Sequence, residues 1–353
     1  MPKVFEPDYR NILDAAGNKK PRRLPIYDHS ISAGVQEKVV NKKFAGLIAG
    51  DKQDIKEFLR SAFACSIKLG YDIYPFECCV TEFIQGGKGL TGKGKPLIRN
   101  MRDLQSYDWN EPVRKFHETS AVFYEALKET LPAGMKAVGG VGNGVFECVQ
   151  DFVPYTDLVY LKSDDPETYK ALFSNVGEML AKIWAEFLEK HSDSYAVCRF
   201  GDDLGFKSGP LLDPADIREL VIPEYRKIVS LVHKHNKPFL LHSCGCIFEV
   251  MDEIISIARI DSKHSNEDAI APFSKWADIY GDRIGLFGGV DMNIICLESA
   301  DRIKKYVREV IDSASNSRGL AIGCGNSIPD YVPAEGYVAM CEAVREHKWP
   351  PGK

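Results

Sequence analysis

Three side chains in this sequence have the chemistry of a soft-metal site. His242 and Cys244 follow the apolar run Phe239-Leu240-Leu241, so an imidazole nitrogen and a thiol sulfur leave the end of one strand two residues apart. Cys324, in Leu320-Ala321-Ile322-Gly323-Cys324-Gly325, occupies the same kind of position far down the chain. Together the three are expected to bind one zinc ion, and with no obvious fourth cysteine they leave the open coordination position of a catalytic rather than a structural zinc. Spacing alone leaves a second reading open, in which His242 is a satisfied core histidine and the cysteines only pack.

Other groups stand where they could serve such a centre. Asp202 and Asp203 follow the strand Tyr195–Arg199, and His264 and Glu267 follow Arg259–Lys263. Glu267 could be a fourth ligand released when substrate arrives, and either His264 or Glu267 could protonate a leaving oxygen; solvated loop charges are the alternative. Tyr27, His29, Tyr74, Phe76, Glu77, Arg199, Asp202 and Asp203 are the expected substrate pocket, although residues such as Tyr27 and Phe76 are more often barrel wall than substrate shelf, and Asp203 could be a cap paired with Arg199.

These residues are carried by a strict alternation of apolar runs and helical periodicity. Strands are expected at Leu24–Asp28, Tyr71–Glu77, Met135–Gly139, Tyr195–Arg199, the Phe239 run, Arg259–Lys263, Arg283–Gly288 and Gly319–Gly323. Helices are expected between them: Asp51–Leu69 with Asp51 as N-cap and Gly70 as stop, Glu111–Leu131, Pro166–Lys190, Pro214–His235, Phe248–Ala258, Ala269–Tyr280 and Ala300–Ser315, with Pro333–Glu346 last. Eight such units predict one α/β domain, a single (β/α)8 TIM barrel over residues 1–353, with an N-terminal extension to about residue 23. Catalytic groups of such barrels lie at the C-terminal strand ends, which places the histidines, cysteines and acids above at one mouth.

The stretch from about 84 to 96 contains Gly87-Lys88-Gly89-Leu90-Thr91-Gly92 and a near miss to a phosphate-binding loop. Gly94 stands where the magnesium-binding hydroxyl belongs and Pro96 stops the helix, so a mobile Gly/Lys-rich loop is expected instead of a nucleotide site.

Composition narrows the class further. With 353 residues, 44% hydrophobic and 27% charged, and a net charge of -5, the chain suits a large soluble core and not nucleic acid or an anionic membrane. The first residues lack the apolar core of a secretion signal, so a cytoplasmic protein is expected. Its ten cysteines are then expected to be reduced, with Cys65 and Cys341 as plain core residues.

The elements His242-Ser243-Cys244-Gly245, Gly288-Gly289-Val290-Asp291 and Gly323-Cys324-Gly325-Asn326-Ser327-Ile328-Pro329 with Val332-Pro333 give the chain a family likeness. It resembles the uroporphyrinogen decarboxylase superfamily, and within it the zinc-dependent methyltransferases that work with corrinoid proteins, such as the methylcobamide:coenzyme M methyltransferases. The resemblance implies zinc on His242, Cys244 and Cys324, and transfer of a methyl group between a zinc-activated thiol or methoxylated compound and cobalt. It also implies a homodimer. A cobalamin-binding Asp-x-His-x-x-Gly element is missing, Asp28-His29-Ser30 being the nearest text, so the corrinoid is expected on a separate partner protein. The decarboxylase branch, a lyase on the same fold, is the alternative. Its Arg-Gln-Ala-Gly-Arg run is replaced here by Tyr27-Asp28-His29-Ser30, and its glycine-flanked histidine by Cys324. A non-catalytic barrel stabilised by zinc is the third possibility.

Overall fold

The computed structural model describes residues 5–349. Seven strands form one all-parallel sheet in the order β1 (Ile73–Cys79), β2 (Lys136–Gly142), β3 (Tyr195–Gly201), β6 (Phe239–His242), β7 (Ser262–His264), β8 (Gly285–Val290) and β9 (Leu320–Cys324). Two short strands, β4 (Gly205–Phe206) and β5 (Gly209–Pro210), form an antiparallel hairpin beyond β3. Helices separate the parallel strands, as βαβ crossovers require, and the sheet curls into most of a barrel.

The expected first strand is not a strand. Leu24–Asp28 contributes a single parallel bridge, Ile26 to Ile322 on β9, and no ladder to β1. Pro25 has no N–H to offer, and the Asp28 side chain takes the Cys324 N–H at 2.7 Å that would extend the pairing. The barrel is therefore not closed by backbone hydrogen bonds. Side chains span the gap: the fully buried Asp28 carboxylate also accepts from Tyr71, just before β1, and from Tyr337 at 3.0 Å. Asp72, the residue after Tyr71, is held by Arg23, by Asn11 Nδ2 at 3.2 Å and by the Asp8 N–H at 2.7 Å.

Several helices follow local rules closely. Lys52–Leu69 starts on Asp51, whose carboxylate accepts from Gln53 and Asp54 N–H in a capping box, and it stops at Gly70 with φ +94°. The helix expected at Pro214–His235 is interrupted by a π segment, Ile217–Val221, before Ile222–Lys234. Pro223 cannot donate to the carbonyl one turn back, and the widened turn accommodates that loss. The helix expected from Ala269 begins only at Phe273, after Pro272, because the residue before a proline is driven out of the helical region.

The Gly/Lys-rich segment is a series of turns, not a phosphate cradle. It lies on the helix Val145–Phe152, with Gly89 N–H on Asp151 O at 3.3 Å and Leu97 N–H on Phe152 O at 2.8 Å. A Cβ at Gly89 would stand 2.1 Å from Gln150 O, so the close approach requires glycine. Cys65 and Cys341 are core residues, as expected. Among the described residues no helix is long and apolar enough to cross a membrane.

Asp28→Ala leaves the buried Cys324 N–H without its partner and the Tyr71 and Tyr337 hydroxyls with only each other, at 2.5 Å, a loss of about 2–3 kcal/mol. A urea midpoint unchanged from the parent would show that the side-chain closure contributes nothing.

Candidate metal centre

The parallel register decides which side chains share the barrel interior. Arg199 pairs with Leu240, Gly201 with His242, and His242 with His264, so Arg199, His242 and His264 point the same way. Glu77 joins them from β1 and lies 2.8 Å from the Arg199 guanidinium, an ion-pair contact without an aligned hydrogen bond. His29 enters from the loop after Asp28, stacked on His242 with ring centroids 3.7 Å apart.

His242 and Cys244 meet as their spacing implies. His242 Nε2 is 3.5 Å from Cys244 Sγ and 3.9 Å from Asp203 Oδ1. Tetrahedral zinc with bonds of about 2.0–2.3 Å spaces its ligand atoms roughly 3.3–3.8 Å apart, so the His242 nitrogen and Cys244 sulfur already stand at a suitable separation, while the Asp203 oxygen would have to move closer. The Cys244 N–H fixes the Asp203 carboxylate at 2.9 Å. Burial is the main cause that raises the Cys244 thiol to about 12, with the Asp203 charge adding to it. A metal ion would displace that proton.

Three histidines, His29, His242 and His264, also bring ring nitrogens within 4.8 Å of one another. Their hydrogen bonds argue against a three-imidazole metal site. Arg199, a donor only, faces both nitrogens of His29, Nε2 at 3.0 Å. His264 directs Nε2 at the Cys324 carbonyl at 3.0 Å and Nδ1 at His242 Nδ1 at 2.8 Å. With both nitrogens engaged, His264 is neither a fourth ligand nor a free acid in this arrangement. Burial lowers its pKa to about 3.

Cys324 is the residue whose placement differs most from expectation. Continuing the register, His242's face is shared by His264, Phe287, Ala321 and Gly323, and Cys324 falls one residue out of phase. Its thiol is fully buried and meets Met292 Sδ at 2.9 Å. Among the described residues it joins no group of three candidate ligands within 4.8 Å. Its backbone is nonetheless part of the site, through the carbonyl that holds His264, and Asn326 reaches back to Cys244 Sγ at 3.7 Å.

The expected substrate pocket divides. Glu77, Arg199 and His29 line the interior, with Tyr27 packed edge-on to His264 and Phe287. Tyr74 and Phe76 do not belong there. Strand alternation with Glu77 turns them outward, Tyr74 onto Phe63 and Phe76 toward Tyr124 of the outer helices. Asp202 is also structural: fully buried, it accepts from the N–H groups of Phe146 and Glu147 at 2.9 and 2.7 Å and from Tyr225 Oη at 2.6 Å, capping the helix Val145–Phe152. Glu267 is in neither ligand group. It lines a cavity of about 360 Å³ with Lys207, Asn266, Asp291, Asn326 and Tyr331, which Asn326 links to Cys244 of the candidate cluster.

Lys263 escaped the sequence reading because it lies within an expected strand. It is fully buried on the outward face, 4.1 Å over the Trp276 ring, and donates to the Ser265 carbonyl. Its Nζ lies 3.5 Å from the Ser243 carbonyl, so one cation ties the loops after β6 and β7. Burial lowers its pKa to about 7.

An open-edged parallel α/β barrel with histidine, cysteine and carboxylate converging at the C-terminal strand ends defines a barrel protein with a candidate mononuclear metal centre. The chain belongs to the uroporphyrinogen decarboxylase (URO-D) family, whose profile matches residues 87–347. No curated protein matches it significantly. Among solved structures it is similar to a methyltransferase from Methanosarcina mazei, at 18% identity over 97% of this chain and 99% of that one, with a TM-score of 0.71. That likeness extends the shared fold to nearly the whole chain. A glycoside hydrolase family 5 enzyme from Prevotella bryantii matches over 95% of this chain and 98% of its own at 10% identity, with a TM-score of 0.44, too distant to inform the site.

Arg199→Met removes a buried cation and leaves Glu77 without its counter-charge, at a cost of about 3–5 kcal/mol. The double variant with Glu77→Met should recover much of it. Equal urea midpoints for the single and double variants would show that the pair is not coupled.

Proposed function

We propose that this protein is a zinc-dependent methyltransferase acting between a small thiol or methoxylated substrate and the cobalt of a separate corrinoid protein. The observation that carries the reading is the convergence of His242 Nε2, Cys244 Sγ and Asp203 Oδ1 at the C-terminal strand ends, with the nitrogen and sulfur 3.5 Å apart, a separation suited to zinc. Family membership and the fold shared with a methyltransferase support it.

In this reading His242 and Cys244 are the fixed ligands. Cys324 is the third, as the family resemblance implies, and its side chain must turn from Met292 to join them. Asp203 then holds the position that a substrate takes. The bound ion would act as a Lewis acid, lowering the pKa of a thiol or polarising an ether oxygen.

The chain's own residues supply the rest. The cavity bounded by Glu267, Asn326 and Tyr331 is of a size for a small molecule and adjoins Cys244 through Asn326. Ser265 Oγ lies 3.5 Å from Cys244 Sγ but is 2.8 Å from the Gly325 carbonyl, so it orders the loop more than it solvates the sulfur. Glu267, on the cavity wall, is placed to hold or move a proton at a substrate oxygen. The corrinoid protein docks over this mouth, and a homodimer is part of the same proposal.

The decarboxylase alternative is less well supported. Arg23 is paired with Asp72 at the N-terminal end of β1, the opposite end of the strand from the histidine–cysteine cluster. It therefore cannot grip a substrate at the mouth from there.

Elemental analysis should find about one zinc per chain, lost in Cys244→Ala and Cys324→Ala and retained in Asp203→Asn. Retention in Cys324→Ala with loss in Asp203→Asn would make the carboxylate the third ligand. Full methyl transfer to a corrinoid protein by zinc-free enzyme would sink the mechanism, and carbon dioxide release from uroporphyrinogen would favour the alternative.

A further inference from the structure

We infer that His264 is a positioning residue, the middle of a carbonyl–imidazole–imidazole chain that fixes the tautomer of His242 and leaves its Nε2 lone pair free for the metal. This deepens the zinc reading above and rests on it for its purpose, though the proton arrangement can be tested without any metal.

The chain is anchored at a group that can only accept. The Cys324 carbonyl oxygen lies 3.0 Å from His264 Nε2, so the proton of that contact belongs to His264. A neutral His264 then has an unprotonated Nδ1, and 2.8 Å away stands His242 Nδ1. One of these two nitrogens must donate and the other accept. His242 therefore carries its proton on Nδ1 and none on Nε2, the nitrogen that faces Cys244 Sγ at 3.5 Å and Asp203 Oδ1 at 3.9 Å.

The opposite arrangement is physically poor. A proton on His242 Nε2 would require His264 to donate from Nδ1 while still donating to the carbonyl, which makes it an imidazolium. That cation would be fully buried near the Arg199 guanidinium, with no carboxylate among its hydrogen-bond partners. It would also leave His242 Nε2–H 3.9 Å from Asp203, too far for a hydrogen bond to repay the cost.

The backbone around the chain is shaped to admit it. Gly288, at φ +104°, lies against this contact, and a Cβ there would stand 2.9 Å from the Cys324 oxygen and 3.2 Å from His264 Nε2. The β6–β7 register sets the two imidazoles opposite each other, pairing His242 directly with His264. Cys324 thus serves the site through its carbonyl irrespective of where its thiol points. Partners of this kind commonly change metal affinity by about 10–100-fold when removed.

Long-range proton–nitrogen NMR on the metal-free, nitrogen-15-labelled full chain reads the ring tautomers directly. The expected pattern is Nδ1–H for His242 and Nε2–H for His264, the latter signals assigned by their loss in His264→Asn. Nε2–H on His242 overturns the proposal. Competition for zinc against a chromophoric chelator supplies the second readout. His264→Phe should weaken zinc by about 10–100-fold, whereas His264→Asn, whose amide oxygen replaces the acceptor at Nδ1, should stay close to the parent. Equal affinities for the Phe and Asn variants overturn the positioning role. A parent chain that binds no zinc at all would refute the metal reading, while the NMR pattern would still decide the proton chain.

Discussion

The pleat of the parallel sheet is the constraint on which this site depends. Successive side chains alternate between the barrel interior and the surrounding helices, and the register carries that phase from strand to strand. Once Arg199 faces inward, so do His242 and His264. Tyr74 and Phe76 consequently go outward, and so does Cys324 at the end of β9. Cys244 escapes the rule because it lies beyond the end of β6, where the chain can turn its sulfur back toward His242.

An interior holding so many polar groups needs internal partners for them. Arg199 supplies several at once: it lies 2.8 Å from Glu77 and donates to His29, which stacks on His242. Burial pushes the Glu77 carboxyl up to about 8. Asp28 plays a corresponding part at the edge of the sheet. Burial raises its pKa to about 6, and its hydrogen bonds to Tyr71, Tyr337 and the Cys324 N–H work in the opposite direction while joining the ends of an incomplete barrel. Cys324 is thereby held at both backbone groups, its N–H by Asp28 and its carbonyl by His264.

The proposed chemistry uses this rigidity. A metal ligand whose tautomer is set by a neighbouring ring needs no proton rearrangement before binding, and a carboxylate fixed by a backbone N–H can stand beside an ion and still yield to substrate. The adjoining cavity lies among the loops after β7, β8 and β9, including Glu267, Asp291 and Asn326. Loops are free to differ between members of one family while the strands stay constant, which allows one barrel to serve different substrates.

Local chemistry was legible without the fold. Alternating periodicity marked seven strands of the parallel sheet, the Asp51 cap and Gly70 stop bounded a helix, and His242-x-Cys244 announced a nitrogen and a sulfur that meet, because each signal depends on residues a few positions apart. Pairing across the chain was not legible. A valid strand pattern at Leu24–Asp28 could not reveal that Pro25 and the Asp28 side chain would limit it to one bridge. A cysteine flanked by glycines could not show on which side of the pleat its sulfur would lie, and an aspartate pair could not show that Asp202 caps a helix while Asp203 faces the cluster. Those outcomes depend on register and on partners up to 296 residues away, distances that only folding closes.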